Sequence, residues 1–270
     1  MRTIVHLSDL HFGRVNPAIL QPLLRFIRET KPDLVAVSGD LTQRARTEQF
    51  KAAREFLNAI PFTQIVVPGN HDVPLFNVFA RFVRRLDRYR RFITDDLAPF
   101  YSDEEIAVAG VNTARALSVK GGRINAAQIA ELQARFHHAG DGQTKIVVTH
   151  HPFDLPVGAE GGRVVGRAQE AMAALARCRV DLLLAGHFHI AHTASSAARF
   201  QIPDYSALVV SAGTSTSTRG RGQPNSFNVI RTDRSRIGVV RWEWQPDCAQ
   251  FDRMSDEHFE RTPDGWSAAK

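Results

Sequence analysis

Seven side chains able to bind a divalent metal recur along this chain in one setting, at or just past the end of an apolar run: Asp9, His11, Asp40, Asn70, His150, His187 and His189. Asp9 and His11 stand two apart, as do His187 and His189, and in extended backbone that spacing puts both side chains on one side. Oxygen and imidazole donors in this number suit two divalent ions sharing a bridging carboxylate, with Mn, Fe, Zn or Co as suitable occupants. Two ions roughly 3.5–4 Å apart would hold a hydroxide between them and take a phosphoryl oxygen, an arrangement for in-line hydrolysis. Taken singly, each donor has a plainer reading: Asp9 as a helix cap, Asp40 as a turn residue, His150 or His187 as a histidine satisfied within the fold. The same layout after five apolar runs favours chemistry over coincidence. His6, His137, His138, His192 and His258 fall outside that layout and are read as structural.

The elements that must position these groups alternate. Apolar runs at 3–7, 33–37 and 65–67 read as strands, and the apolar spacing over 17–29 and 46–58 is helical. Val66-Val67-Pro68-Gly69 ends its strand abruptly and delivers Asn70, His71 and Asp72 in a row. Further strands are expected at 106–111, 145–149 and 181–185, with helices at 126–137 and 167–177. Strand, ligand loop, helix is the order of an α/β protein with parallel strands, whose functional loops lie at the carboxyl ends of the strands. Residues 75–97 read as one long amphipathic helix, with Leu75, Phe79, Phe82, Leu86, Tyr89 and Ile93 on one face and Arg81, Arg84, Arg85, Arg88 and Arg91 on the other. That helix is a solvated basic surface, a homodimer contact or an anion-attracting lid near the site. Runs at 208–211, 226–231 and 238–244 have no helix between them and read as antiparallel strands of a second sheet. The organisation expected is one domain over 1–246 and a loosely packed C-terminal tail over 247–270.

Composition narrows the classes. With 43% hydrophobic residues among 270, a large core is affordable, and no apolar run approaches the roughly 20 residues of a membrane span. A formal charge of +6 favours acidic partners, whether phosphorylated metabolites, nucleic acid or an anionic membrane surface, or is a weakly basic surface with no particular partner. Only Cys178 and Cys248 occur, which excludes a disulfide framework, and the start of the chain leaves no room for a secretory leader, so a cytoplasmic location is expected.

The blocks Asp9-Leu10-His11, Gly39-Asp40-Leu41, Gly69-Asn70-His71-Asp72, His150-His151-Pro152 and Gly186-His187-Phe188-His189 together resemble those of the calcineurin-like metallophosphoesterase superfamily, in the same order. Among its members the chain looks most similar to small bacterial phosphodiesterases of the cyclic-nucleotide class. The resemblance implies an α/β fold, a four-layer αββα sandwich of two mixed sheets flanked by helices, with a dinuclear metal site at the carboxyl ends of the strands. It assigns Asp9, His11, Asp40 and His189 to one metal, and Asp40 as bridge with Asn70, His150 and His187 to the other. His151 would then stand behind the ligands or help pack the Pro152 turn. It places His71 near the leaving group as an acid or phosphate-contacting donor. Asp72 is read either as the carboxylate that orients that imidazole or as a turn residue.

A metal-dependent phosphodiesterase hydrolysing a small phosphodiester, a cyclic nucleotide or similar, through a metal-bridging hydroxide is therefore the first reading. A DNA-repair-type nuclease, a hydrolase of phospholipid headgroups or nucleotide sugars, and a binding scaffold are the alternatives. The loop 211–225 could bring Arg219 and Arg221 to the phosphate, or be an exposed hairpin loop with two solvated arginines, and Asn112 is a further substrate contact to consider.

Overall fold

The computed structural model describes every residue except 76–83, 116–120, 141, 158, 160, 220, 221 and 270. Two mixed sheets face each other. The first runs β13 (Gly265–Ala268), β12 (Gln250–Thr262), β11 (Arg236–Gln245), β10 (Ser226–Thr232), β1 (Arg2–Leu7), β2 (Leu34–Val37), β3 (Gln64–Val66), and the second β4 (Phe100–Ser102), β5 (Ile106–Val111), β6 (Thr144–Thr149), β7 (Leu182–Ala185), β9 (Leu208–Ser211), β8 (His192–Ser195). In the first sheet β1 (Arg2–Leu7), β2 (Leu34–Val37) and β3 (Gln64–Val66) are parallel. In the second, β5 (Ile106–Val111), β6 (Thr144–Thr149), β7 (Leu182–Ala185) and β9 (Leu208–Ser211) are parallel, flanked by antiparallel β4 (Phe100–Ser102) and β8 (His192–Ser195).

The two-residue period of the strands builds the layers. Ile4, Leu34, Ala36, Ile146, Val148, Leu182 and Leu184 point into the space between the sheets, and their neighbours Val5, Leu7, Val35 and Val37 point outward under helices. Helix α1 (Pro17–Thr30) covers the first sheet with Ile19, Leu23 and Ile27, and α2 (Thr47–Asn58) with Phe50, Ala53 and Leu57. Asn16 starts α1 by accepting the Ala18 N–H, and Lys31 ends it in left-handed backbone. On the opposite side α4 (Ala126–His137) and α5 (Ala168–Arg177) pack Leu132, Phe136, Met172 and Leu175 on the second sheet. The expected αββα sandwich is the observed one.

Three local expectations are corrected. Described residues of 75–97 form only a short helix, α3 (Asp87–Phe92), while Leu75 lies outside helix and 76–83, with Phe79, Arg81 and Phe82, lie outside the described residues. The chain leaves α3 because Thr94 and Asp96 accept the N–H groups of Asp96 and Ala98 in successive side-chain turns. Strand β9 joins the second sheet in parallel, and β10 (Ser226–Thr232) and β11 (Arg236–Gln245) extend the first sheet from the free edge of β1. The last residues are not loosely packed. They form β12 (Gln250–Thr262) and β13 (Gly265–Ala268), joined where Gly265 takes φ of 112°.

That hairpin is tied to the second sheet through buried Asp181, whose carboxylate accepts the Trp266 indole N–H (3.0 Å), the Lys145 backbone N–H (2.8 Å) and the Arg261 guanidinium (2.8 Å). Among the described residues no helix is long and apolar enough to cross a membrane. Asp181→Ala leaves the buried Trp266 indole and Lys145 N–H groups without an acceptor and is expected to cost about 2–4 kcal/mol. Urea unfolding measures it, and a loss below about 0.5 kcal/mol, the usual size of a surface change, would mean that the clamp is not what holds the hairpin.

Candidate metal centre

The ligand-bearing loops leave the carboxyl ends of β1, β2, β3, β6 and β7, and their backbones grip one another. Asp9 and His11 donate their N–H groups to the carbonyls of Gly39 and Asp40, at 3.1 and 2.9 Å. Gly186 N–H reaches the His150 carbonyl at 3.1 Å, and His187 N–H reaches Asp9 Oδ2 at 3.0 Å. Close approach sets the residue type at Gly69, where a Cβ would run into the Asp40 carboxylate. Five of the seven donors stand in left-handed backbone: Asp9 (φ 52°), His11 (49°), Asp40 (52°), His187 (78°) and His189 (61°). Such φ values are uncommon for residues with a Cβ, and they turn each side chain away from the line of its strand.

The donors form two groups joined by Asp40. In the first, His189 Nε2 lies 3.1 Å from Asp9 Oδ1 and 3.2 Å from His11 Nε2. In the second, His150 Nε2 lies 3.1 Å from Asn70 Oδ1 and 3.3 Å from His187 Nδ1. Asp40 turns Oδ2 to His11 (3.7 Å) and Oδ1 to His150 (3.4 Å), one oxygen to each group. All seven residues the sequence singles out therefore meet in one place. Asp9 Oδ2 is occupied by the Ser8 hydroxyl and the His187 N–H, whereas the buried Asp9 Oδ1 faces the ring nitrogens of His189 (3.1 Å) and His11 (3.5 Å) without a well-aligned hydrogen bond. A buried carboxylate oxygen flanked by two imidazole nitrogens is a donor set that a cation completes, so the residues fit a pair of metal ions. His150 and His189 are held from behind, Nδ1 of each meeting a backbone carbonyl, Ser38 at 2.8 Å and Arg219 at 3.1 Å.

Electrostatics agree with a cation-binding site. Burial opposes charge on Asp9 and Asp40, but the surrounding imidazoles outweigh it and hold both carboxyls below the ordinary range. Burial pushes the His150 imidazole down, yet Asp40 and then Asp9 bring it up to about 9. Burial and the neighbouring His150 push His187 down to about 4.

The remaining sequence candidates divide. His71 N–H donates to Asp40 Oδ1 (2.8 Å), its Nδ1 pairs with the Gln43 carbonyl (2.9 Å), and its Nε2 lies 3.1 Å from Arg219 Nη1. A guanidinium only donates, so Nε2 is the acceptor here and the ring is neutral. Burial, with His11 and Arg219 nearby, lowers its pKa against the pull of Asp40 and the Gln43 carbonyl. Asp72 does not orient this imidazole. Its two oxygens accept the backbone N–H groups of Leu41 (3.1 Å), Thr42 (2.8 Å) and Gly69 (3.0 Å), which staples the β2 loop to the β3 loop. Asn112 turns its Oδ1 back to the Ala114 N–H at 3.0 Å, a local turn. Arg219 reaches the centre, and Arg221 lies outside the described residues.

Sequence reasoning missed the hydroxyls that hold the first loop. Thr214, Ser215, Thr216 and Ser217 are buried, not part of an exposed loop. Thr214 and Thr216 donate to the carbonyls of Asp9 and Leu10, both at 2.7 Å, and Ser215 Oγ accepts the Ser8 N–H at 3.0 Å. Five hydroxyl residues in succession, from Thr214 to Thr218, were the available signal.

Comparison with known proteins bears on this centre. A family model described as calcineurin-like phosphoesterase matches residues 2–191. Glycerophosphodiester phosphodiesterase GpdQ of Enterobacter lignolyticus is 27% identical over 211 residues, 69% of this chain and 70% of that protein. Among solved structures, a dimetal phosphatase from Danio rerio superimposes with a TM-score of 0.65 at 14% identity, covering 95% of this chain and 98% of the other. A purple acid phosphatase from yellow lupin gives 0.73 at 11% identity, and this chain, 95% covered, spans 53% of its length.

Two outcomes are expected. Asp72→Ala leaves three buried N–H groups without an acceptor and should lower stability by about 3 kcal/mol in urea unfolding, whereas a residue that only orients His71 would leave stability unchanged. His150 carries a proton up to about pH 9 in the metal-free protein, and a ligating imidazole must shed it. Metal affinity should therefore rise with pH towards 9, with proton release read by calorimetry in buffers of different ionisation enthalpy; affinity independent of pH below 9 would contradict this.

Proposed function

The chain belongs to the calcineurin-like phosphoesterase family, and from that premise we propose that it is a metal-dependent phosphodiesterase of small phosphodiesters. The observation that carries the reading is the convergence of Asp9, His11 and His189 on one side of Asp40, and of Asn70, His150 and His187 on the other. With divalent ions bound, such a site supplies a polarised phosphoryl oxygen and an activated water. A glycerophosphodiester is the first substrate class to test, supported by the relative that carries that name. Cyclic nucleotides remain the second.

Two residues of this chain act on the ester itself. The Arg219 guanidinium, drawn to the centre by His71, offers charge-assisted hydrogen bonds to a non-bridging phosphate oxygen. In taking that oxygen, Arg219 releases the Nε2 lone pair of His71, which is then free to take a proton from solvent water and pass it to the leaving alkoxide. The Gln43 carbonyl and the Asp40 carboxylate keep the His71 ring and backbone in place meanwhile.

Manganese-reconstituted protein should hydrolyse glycerophosphodiesters or cyclic nucleotides in preference to single-stranded DNA, and absence of hydrolysis of any ester, bis-p-nitrophenyl phosphate included, would sink the proposal. Asp40→Ala should lose metal and rate together. His71→Ala should keep its metal content and lose turnover, most with poor leaving groups, while Arg219→Ala should weaken kcat/KM by about 10–100-fold, largely through KM. Equal losses for His71→Ala on good and poor leaving groups would remove its proton-transfer role.

A further inference from the structure

The two histidines that follow β6 have different partners. His150 sits between the two donor groups, while His151 turns to the loop after β5. Both are fully buried. The His151 backbone N–H donates to Thr113 Oγ1 at 3.3 Å, and His151 Nδ1 lies 2.8 Å from that same oxygen. With its oxygen accepting the backbone N–H, the Thr113 hydroxyl has its proton left to give, and Nδ1 is the partner in reach. Where Nδ1 accepts that proton, the ring proton stands on Nε2.

Gly122 lies so close to the ring that a Cβ at 122 would overlap it, and Thr149 Oγ1 holds the His151 backbone by donating to its carbonyl at 2.9 Å. His151 Nε2 is buried with no hydrogen-bond partner among the described residues. One ring nitrogen from each of His150, His151 and His187 lies within 4.8 Å of the others, and the His151 ring centroid is 4.9 and 4.7 Å from those of His150 and His187, so the ring borders the second donor group. A buried donor without an acceptor is rare in a native fold unless something bound supplies one.

We propose that His151 serves as a hydrogen-bond donor, through Nε2–H, to an oxygen of the phosphate group held at this centre, and is not a third imidazole ligand beside His150 and His187. Thr113 is its positioning residue, since its hydroxyl proton fixes the tautomer. A metal ligand would need the opposite tautomer, with the lone pair on Nε2 and the proton on Nδ1. The proposal rests on the reading that this site binds a phosphate ester.

Inorganic phosphate is the probe, titrated by calorimetry into the manganese-loaded protein, with metal content measured on the same samples. His151→Phe should retain the metal content of the wild type and bind phosphate about tenfold or more weakly. Thr113→Val should show the same loss and Thr113→Ser should restore affinity, a pair that decides the matter if His151→Phe does not fold. Nitrogen-15 spectra of the histidine rings should show His151 protonated at Nε2 before and after zinc loading, and a shift of that proton in Thr113→Val. Loss of a metal from His151→Phe, coordination of Nε2 to zinc, or unchanged phosphate affinity in both variants against a binding wild type would overturn the proposal alone. A wild type that neither binds phosphate nor hydrolyses any ester would overturn the phosphoesterase reading and this proposal with it.

Discussion

Two carboxylates buried side by side impose the main constraint on this molecule. Asp9 and Asp40 are 0% and 1% exposed, and among the described residues the cationic partners that reach them are imidazoles, with no Lys or Arg salt bridge. Buried carboxylates are costly unless charge and hydrogen bonds compensate them. Here the compensation comes from the imidazoles around them, chiefly His189 for Asp9 and His150 for Asp40, or from a bound cation in their place. The surroundings read as arrangements serving that exchange: carbonyls behind His150 and His189 fix ring orientation, and Ser8 and the His187 N–H occupy the one Asp9 oxygen that the cluster leaves outside.

The backbone bears the cost of this geometry. Left-handed conformation costs a residue with a Cβ roughly 1–2 kcal/mol, and five of the seven donors adopt it. Such strain persists only where neighbours over-determine the conformation. The neighbours here are two mixed sheets whose loops share hydrogen bonds, the Asp72 staple between the second and third loops, and the buried Thr214–Ser217 hydroxyls that grip the first. Sheet and site are thus one mechanical unit: the sandwich brings the loops together, and the loop-to-loop bonds hold angles that no single loop would keep.

What the sequence reveals follows from how local each signal is. The seven donors are legible because each lies at the end of a short apolar run, so position in sequence stands in for position at the sheet edge. Asp72 is not legible in the same way, because a side chain leaving a tight turn beside His71 can face the imidazole or the neighbouring loop, and the backbone N–H groups of residues 41 and 42 decide it from thirty-odd positions away. The C-terminal hairpin is disguised by composition: β12 carries Asp252, Arg253, Asp256 and Glu257 on a half-exposed strand, and only the Asp264-Gly265 turn announces it. Strand β9 looks like its antiparallel neighbours because a buried four-residue run has no direction written in it.

The most direct measurement is anomalous diffraction from crystals of the metal-loaded protein. The account predicts two anomalous peaks roughly 3.5–4 Å apart, one among Asp9, His11 and His189, the other among Asn70, His150 and His187, with Asp40 touching both. A single peak, a peak ligated through His151, or scattering centred away from Asp40 would contradict it.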